Sequence, residues 1–291
     1  MMIKKVIIPA AGLGTRLLTS TKETPKEMLP IFSGNRNELC IKPTLQVIFE
    51  QLYEFGFRDY CIIVGRGKRA IEDHFTPDSN FLEKISKKKK QEISYSLEQF
   101  YKMMDDSNIL WVNQPYPHGF GDAVLRSKPF IHDEPFIVHA GDTVILSKNN
   151  NHFSRLVSGF TDNSCSILLQ KVKNGKQYGI AEIQKKRERF VIKSVEEKPI
   201  KPKSPWAIMP LYIFDSLIFD ALNASKVGQS RELQLTTGIQ RLIDLEKKVI
   251  GIPMIKNEKK LDIGTPEMYW DSLNISYKNY YKKSLNKNLN K

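Results

Sequence analysis

The chain predicts an α/β fold, a Rossmann-like doubly wound mixed sheet with antiparallel additions and a C-terminal helix. Three observations carry that expectation. Short β-branched runs alternate with helix-period segments through the first half. A glycine loop follows the first of those runs directly, and the carboxyl ends of strands are where open α/β sheets bind ligands. Beyond Asp142 the rhythm changes to closely spaced strand-like runs separated by turn residues.

Lys4–Pro9 (KKVIIP) reads as a buried strand, and Pro43–Phe55 carries apolar residues at helical spacing up to Gly56, a natural C-cap. Tyr60–Val64 is a second strand ending at Gly65, and Lys68–Phe75 a short helix with Pro77 beyond it. Ser79–Ser107 is charged and largely helical in pattern, a surface excursion. Ile109–Val112 and Phe136–His139 read as strands on either side of a helix near Ala123–Ser127. Ser166–Val172, Gly179–Ile183 and Phe190–Val195 read as antiparallel strands, with turns at Asn174-Gly175 and Lys185–Glu188. Trp206–Phe214 is another strand, followed by helices over Asp215–Asn223 and Glu232–Glu246. Val249–Pro253 and Lys260–Ile263 are short strands, and Pro266 opens a long terminal helix. Without repeats or long linkers, residues 1–291 read as one domain. Residues 1–145 and 146–265 are expected to form its two halves, and 266–291 a helix with a basic tail.

Net charge of +13 raises nucleic-acid binding as one reading. The lysines, however, cluster at Lys87–Lys90, Lys185–Lys186 and Lys278–Lys291 with little aromatic interleaving. That is the pattern of solvated faces, and such a surface also attracts polyanionic small molecules. No apolar run approaches the roughly 20 residues of a membrane span, and Met1–Lys5 shows no leader pattern. A cytoplasmic protein with no nucleic-acid or membrane partner is expected. Cys40, Cys61 and Cys165 have no metal-ligand spacing, and the last two sit in strand-like runs as core thiols. The five histidines show no HExxH, and no GxSxG hydrolase elbow occurs.

The loop itself is Ala10-Ala11-Gly12-Leu13-Gly14-Thr15-Arg16-Leu17. Glycines let backbone N–H groups approach phosphate oxygens, and Arg16 and Lys26 add cations suited to the same groups. A Walker loop would need GxxxxGK[ST], and a dinucleotide loop a third small residue where Leu17 stands. Asp142, after the strand-like run to His139, is a carboxylate facing the ligand crevice, and its hard oxygens suit Mg²⁺. Asp262 ends a second short strand.

The runs PAAGLGTR (Pro9–Arg16), Thr21-Lys22 and PKEMLP (Pro25–Pro30) closely resemble those of bacterial and archaeal UTP–glucose-1-phosphate uridylyltransferases, from Ile3 to about Tyr277. The resemblance implies transfer of a uridylyl group from UTP to glucose 1-phosphate, with Mg²⁺ as cofactor and a homo-oligomer of two or four chains. By it, Ala11, Gly12, Gly14, Thr15, Gln114, Gly119 and Asp142 bind the nucleotide, Gln114 reading the base edge. Arg16, Lys26 and Lys198 are the catalytic cations, the first two on the departing pyrophosphate and the third on the attacking sugar phosphate. Gly179, Glu197 and Lys198 meet the sugar, and Asp142 with Asp262 holds the metal.

The chain departs from the family pattern in places. His118 stands for a lysine, Asp122 for a histidine, Glu196 for a valine and Thr237 for an aspartate, with Pro115-Tyr116-Pro117 inserted before the nucleotide loop. A thymidylyltransferase or a broader sugar-1-phosphate nucleotidyltransferase remains an alternative. A catalytically silent regulatory homologue is another, which loss of Arg16, Lys26, Asp142 or Lys198 would have favoured.

Overall fold

The computed structural model describes residues 3–35, 38–87, 91–161, 163–186, 189–225 and 232–288. The chain opens with β1 (Lys5–Pro9), the hairpin β2 (Pro30–Asn35) and β3 (Glu38–Pro43), α1 (Thr44–Phe55) and β4 (Asp59–Gly65). There follow α2 (Arg69–His74), α3 (Ser79–Lys87), α4 (Gln91–Asp105), β5 (Asn108–Gln114), α5 (Phe120–Arg126), α6 (Lys128–Ile131) and β6 (Phe136–His139). The second half runs β7 (Thr143–Leu146), α7 (Asn151–Gly159), β8 (Cys165–Lys171), β9 (Gly179–Lys186), β10 (Arg189–Glu197) and β11 (Trp206–Phe214). It ends with α8 (Leu217–Asn223), α9 (Leu235–Asp244), β12 (Val249–Pro253), β13 (Lys259–Asp262) and α10 (Pro266–Asn288).

Nine strands form one sheet in the order β5-β4-β1-β6-β11-β8-β12-β10-β9. The first four are parallel, β11 runs antiparallel to both β6 and β8, and β9–β10 is an antiparallel hairpin. The central strands are apolar at successive positions because both faces are covered. Val6, Ile8 and Ile62 join Phe49, Phe100 and Phe153 on one side. Ile7, Cys61, Ile63 and Val138 join Val124, Phe219 and Ile239 on the other. Successive side chains of a strand point to opposite faces, so a short β-branched run seeds two cores at once. Cys61 and Cys165 lie buried there as expected, and burial pushes the Cys61 thiol up to about 12.

The doubly wound mixed sheet is as predicted; several details are corrected. The hairpin β2–β3, the strand β7 and the helix α7 were not foreseen. Ser166–Val172 is not a neighbour of the β9 run in an antiparallel series, for β8 pairs with β11 and runs parallel to β12. Lys260–Ile263 does not join the main sheet: β13 pairs antiparallel with β7 in a separate two-stranded ribbon. The helix expected from Glu232 begins only at Leu235, leaving Glu232 and Gln234 outside it and lining the crevice. Of the basic runs, Lys88–Lys90 and the last three residues lie outside the described residues, as do Arg187 and Glu188 of the expected turn. No helix among the described residues is long and apolar enough to cross a membrane.

Candidate active site

Strand order reverses at β1, whose chain leaves for β4 and β5 on one side and returns to β6 on the other. That switch point opens a crevice at the carboxyl ends of β1 and β6. Its floor is tied to the sheet: Ala10 N–H donates to the Ile63 carbonyl (2.8 Å) and Gly141 N–H to that of Pro9 (3.0 Å). The crevice is a cavity of about 490 Å³, and every residue given a catalytic, binding or metal role from the sequence lines it. Ala11, Gly12, Gly14, Thr15 and Arg16 form one wall; Lys26, Asp142 and Asp262 the floor; Gln114 and Gly119 one end; Gly179, Glu197 and Lys198 the other.

The glycine loop turns at Gly14, whose φ of +66° is left-handed and strained for residues with a Cβ. Thr21 Oγ1 locks it by donating to the Gly14 carbonyl at 2.8 Å. Leu17, buried behind the short turn Thr15–Leu17, anchors the loop while Thr15 and Arg16 stay exposed at the rim.

The PKEMLP run splits its two charges. Lys26 faces the cavity and forms an ion pair with the Asp142 carboxylate. Glu27 turns inward to a buried pair with Lys68 at 2.8 Å. Burial pushes the Glu27 carboxyl above the usual range despite Lys68 and Lys26 beside it. For Asp142 the balance goes the other way. Burial works to raise its pKa, but the charge and hydrogen bond of Lys26, with a bond from Thr143, bring it below the ordinary carboxylate value.

Asp262 reaches the same floor through the β7–β13 ribbon, where it pairs in register with Thr143. Ile263 N–H donates to the Asp142 carbonyl at 3.0 Å, and Ser272 Oγ accepts from Asp262 N–H at 2.8 Å. Lys260 Nζ bonds Asp262 Oδ2 (3.0 Å) and Tyr178 Oη (3.2 Å). Burial works to lower the Lys260 pKa, but Asp262 and Tyr178 raise it above the usual lysine value.

At one end of the cavity, β5 delivers Gln114 with its side chain buried. Its Nε2 donates to the Gly119 carbonyl (3.1 Å) and to Asp122 Oδ2 (2.7 Å). Gly119 has φ +106°, and a Cβ there would lie 2.5 Å from the Leu233 carbonyl oxygen, so backbone touches backbone. His118 stacks on Tyr116 instead of lining the cavity. At the opposite end Glu197 Oε2 accepts from Thr236 Oγ1 (3.0 Å). Lys198 sits at φ +42°, its side chain 60% exposed, and its N–H bonds the Tyr178 carbonyl at 3.1 Å.

Sequence reasoning missed Lys260, whose ammonium lies 4.5 Å from the centre of the Tyr178 ring, the bond from Thr236 to Glu197, and the Glu27–Lys68 pair. Lys260 stood two residues before an assigned aspartate, a spacing that puts side chains on one face of a strand. Thr236 stood beside the departing Thr237, which is exposed. His139 and His152, each with a ring Nε2 buried and unpartnered, lie behind the site; burial holds them down to about 4 and about 3.

A family model described as nucleotidyl transferase matches residues 5–278. The chain belongs to that family. It is 37% identical over 251 residues to the UTP–glucose-1-phosphate uridylyltransferase of Bacillus subtilis, covering 84% of this chain and 82% of that protein. An apo UDP-glucose pyrophosphorylase crystal structure superposes with a TM-score of 0.84 at 28% identity, covering 96% of this chain and 99% of the other. A UDP-glucose pyrophosphorylase complexed with UDP-glucose gives 0.80 at 29% identity, covering 96% and 100%. The mixed sheet and the C-terminal helix are thus those of a nucleotidyltransferase.

Proposed function

We propose that the chain transfers the uridylyl group of UTP to glucose 1-phosphate, releasing pyrophosphate and forming UDP-glucose. The observation that carries the reading is convergence. Residues from motifs scattered between Ala11 and Asp262 meet in one cavity, and relatives with that activity align over most of the chain. A sugar phosphate oxygen attacks the α-phosphorus in line, the new P–O bond forms, and the bond to the β-phosphate breaks. The attacking phosphate is already ionised at neutral pH, so no general base is required. The chain's task is to align two polyanions and offset their repulsion. Backbone N–H groups around Gly12 and Gly14 cradle the triphosphate, and Arg16 and Lys26 hold the departing pyrophosphate. Lys198 holds the attacking phosphate and Glu197, oriented by Thr236, accepts from sugar hydroxyls.

Asp142 and Asp262 would hold a Mg²⁺ ion. Both are hard oxygen donors, held together by the β7–β13 ribbon. Among the described residues, no group of three or more His, Cys, Asp or Glu side chains is arranged for a metal. Two carboxylates suit an ion that keeps waters and takes substrate phosphates as its other ligands. Bound there, it would supply Lewis-acid neutralisation of phosphate charge.

The reading includes a nucleotide half over 1–145, a sugar half over 146–265, a cytoplasmic location and a homo-oligomer of two or four chains. Exposed Trp270, Tyr277 and Tyr281 along α10 favour assembly, which light scattering reads directly. The activity test is pyrophosphate release over a matrix of nucleoside triphosphates and sugar 1-phosphates with Mg²⁺. Highest turnover with UTP and glucose 1-phosphate is expected; a best pair with another sugar or a purine nucleotide refutes the assignment.

A further inference from the structure

Asp122 lies on α5 where the family pattern has histidine, and the structure shows what its carboxylate does. Arg126, one helical turn on, grips it through Nε to Oδ2 at 2.9 Å and through the second guanidinium nitrogen to Oδ1 at 3.4 Å. The Oδ2 so fixed accepts from Gln114 Nε2 at 2.7 Å, and the Gly119 carbonyl accepts from the same nitrogen at 3.1 Å. Both partners are acceptors only. Turning the amide over would set Oε1 against a carbonyl and a carboxylate oxygen with no proton between them. In a side chain this buried, that arrangement is costly. The amide therefore has one orientation, with both N–H groups committed and only the carbonyl oxygen left for a ligand.

We propose that Asp122, clamped by Arg126, is a positioning residue that sets base choice by making Gln114 an acceptor-only reader. A pyrimidine with an imino N–H at N3, such as uracil or thymine, donates to that oxygen. Cytosine presents a lone pair at N3 instead, and two acceptors then face each other. The proposal rests on the uridylyl-transfer reading above and deepens it. It separates uracil from cytosine and is silent on the methyl group that separates uracil from thymine.

The test uses the full chain and steady-state pyrophosphate release with UTP, CTP and dTTP at saturating glucose 1-phosphate. The wild type favours UTP over CTP. In Asp122→Ala only the Gly119 carbonyl still opposes a turned amide, so the turned form becomes accessible and the UTP/CTP ratio of kcat/KM falls about tenfold. The UTP/dTTP ratio and the KM for glucose 1-phosphate stay at wild-type values. Asp122→Asn keeps an oxygen in the Oδ2 position and retains the UTP/CTP ratio to within about threefold. Arg126→Ala, which loosens the clamp from outside the cavity, moves the ratio the same way as Asp122→Ala and replaces it should that variant not fold. A ratio unchanged in Asp122→Ala, or an equal loss with all three nucleotides, overturns the proposal while leaving uridylyl transfer intact. A wild type that turns over no nucleoside triphosphate sinks the parent reading and this one with it.

Discussion

Lys26→Met keeps the length and apolar stem of the side chain and removes the ammonium paired with Asp142. Taking one partner from a buried ion pair typically costs about 3–5 kcal/mol, because the other charge is left without compensation. Here the side chains keep 17% and 19% exposure to the cavity, which places the expected loss at the lower end, about 3 kcal/mol near pH 7.5. The pH dependence carries the sharper signature. In the wild type the folded-state pKa of Asp142 lies below its unfolded value. Its contribution is thus present above the unfolded pKa and is lost as pH falls through the lowered folded value. Without Lys26, burial acts on Asp142 against only the Thr143 bond and its own backbone N–H and drives its pKa upward. Glu27, which Lys26 also holds down, moves the same way. The variant then carries a penalty at neutral pH that protonation relieves, so its deficit against wild type narrows on acidification from pH 7.5 to about 5. Urea unfolding followed by circular dichroism at the two pH values measures this, and Lys26→Met/Asp142→Asn should recover most of the loss. An equal deficit at both pH values, or a double variant no more stable than the single, refutes the electrostatic account. Turnover in Lys26→Met should fall by about 10²–10³, the usual cost of one removed transition-state donor.

Lys198→Ala should lower turnover by several powers of ten while shifting stability by less than about 0.5 kcal/mol, since its side chain is largely exposed; near-normal turnover in the pyrophosphate assay removes its assigned role. Gly119→Ala combines a left-handed residue with a Cβ 2.5 Å from the Leu233 carbonyl. It should destabilise by at least about 1–2 kcal/mol and raise the KM for UTP; a wild-type thermal midpoint would contradict the close approach. His139 and His152 are held neutral, with pKa values down to about 4 and about 3 from burial. Their support is present above the unfolded value and drains as pH falls from 6.5 towards those values. For His139 this amounts to about 3 kcal/mol. His139→Gln should flatten the fall in urea midpoint between pH 6.5 and 4.5, and an unchanged slope would show that other groups cause it.

The parts of this fold legible in the sequence were those with a local cause. β1, β4 and β6 announce themselves because a strand covered on both faces is apolar at successive positions. The glycine loop is legible because only a few residue types tolerate its backbone. The β2–β3 hairpin carried its signal in Gly34-Asn35, hidden by the family motif that ends at Pro30 where β2 begins. β7 was missed because its four residues gain meaning only from β13, more than a hundred positions away, which brings Asp262 to Asp142. The ionic state of the site has the same non-local origin. Read singly, Lys26 is a phosphate cation, Asp142 and Asp262 are metal ligands and Lys260 is a strand residue without a task. Folded together in a largely buried cavity, they cannot stay separate, since each desolvated charge needs a counter-charge. The site resolves this as two pairs, Lys26 with Asp142 and Lys260 with Asp262. On the proposed reading, incoming phosphates and a divalent ion would compete for partners already matched. On that reading, binding of the anion and of the cation would each be easier with the other present, because each replaces the partner that the other displaces.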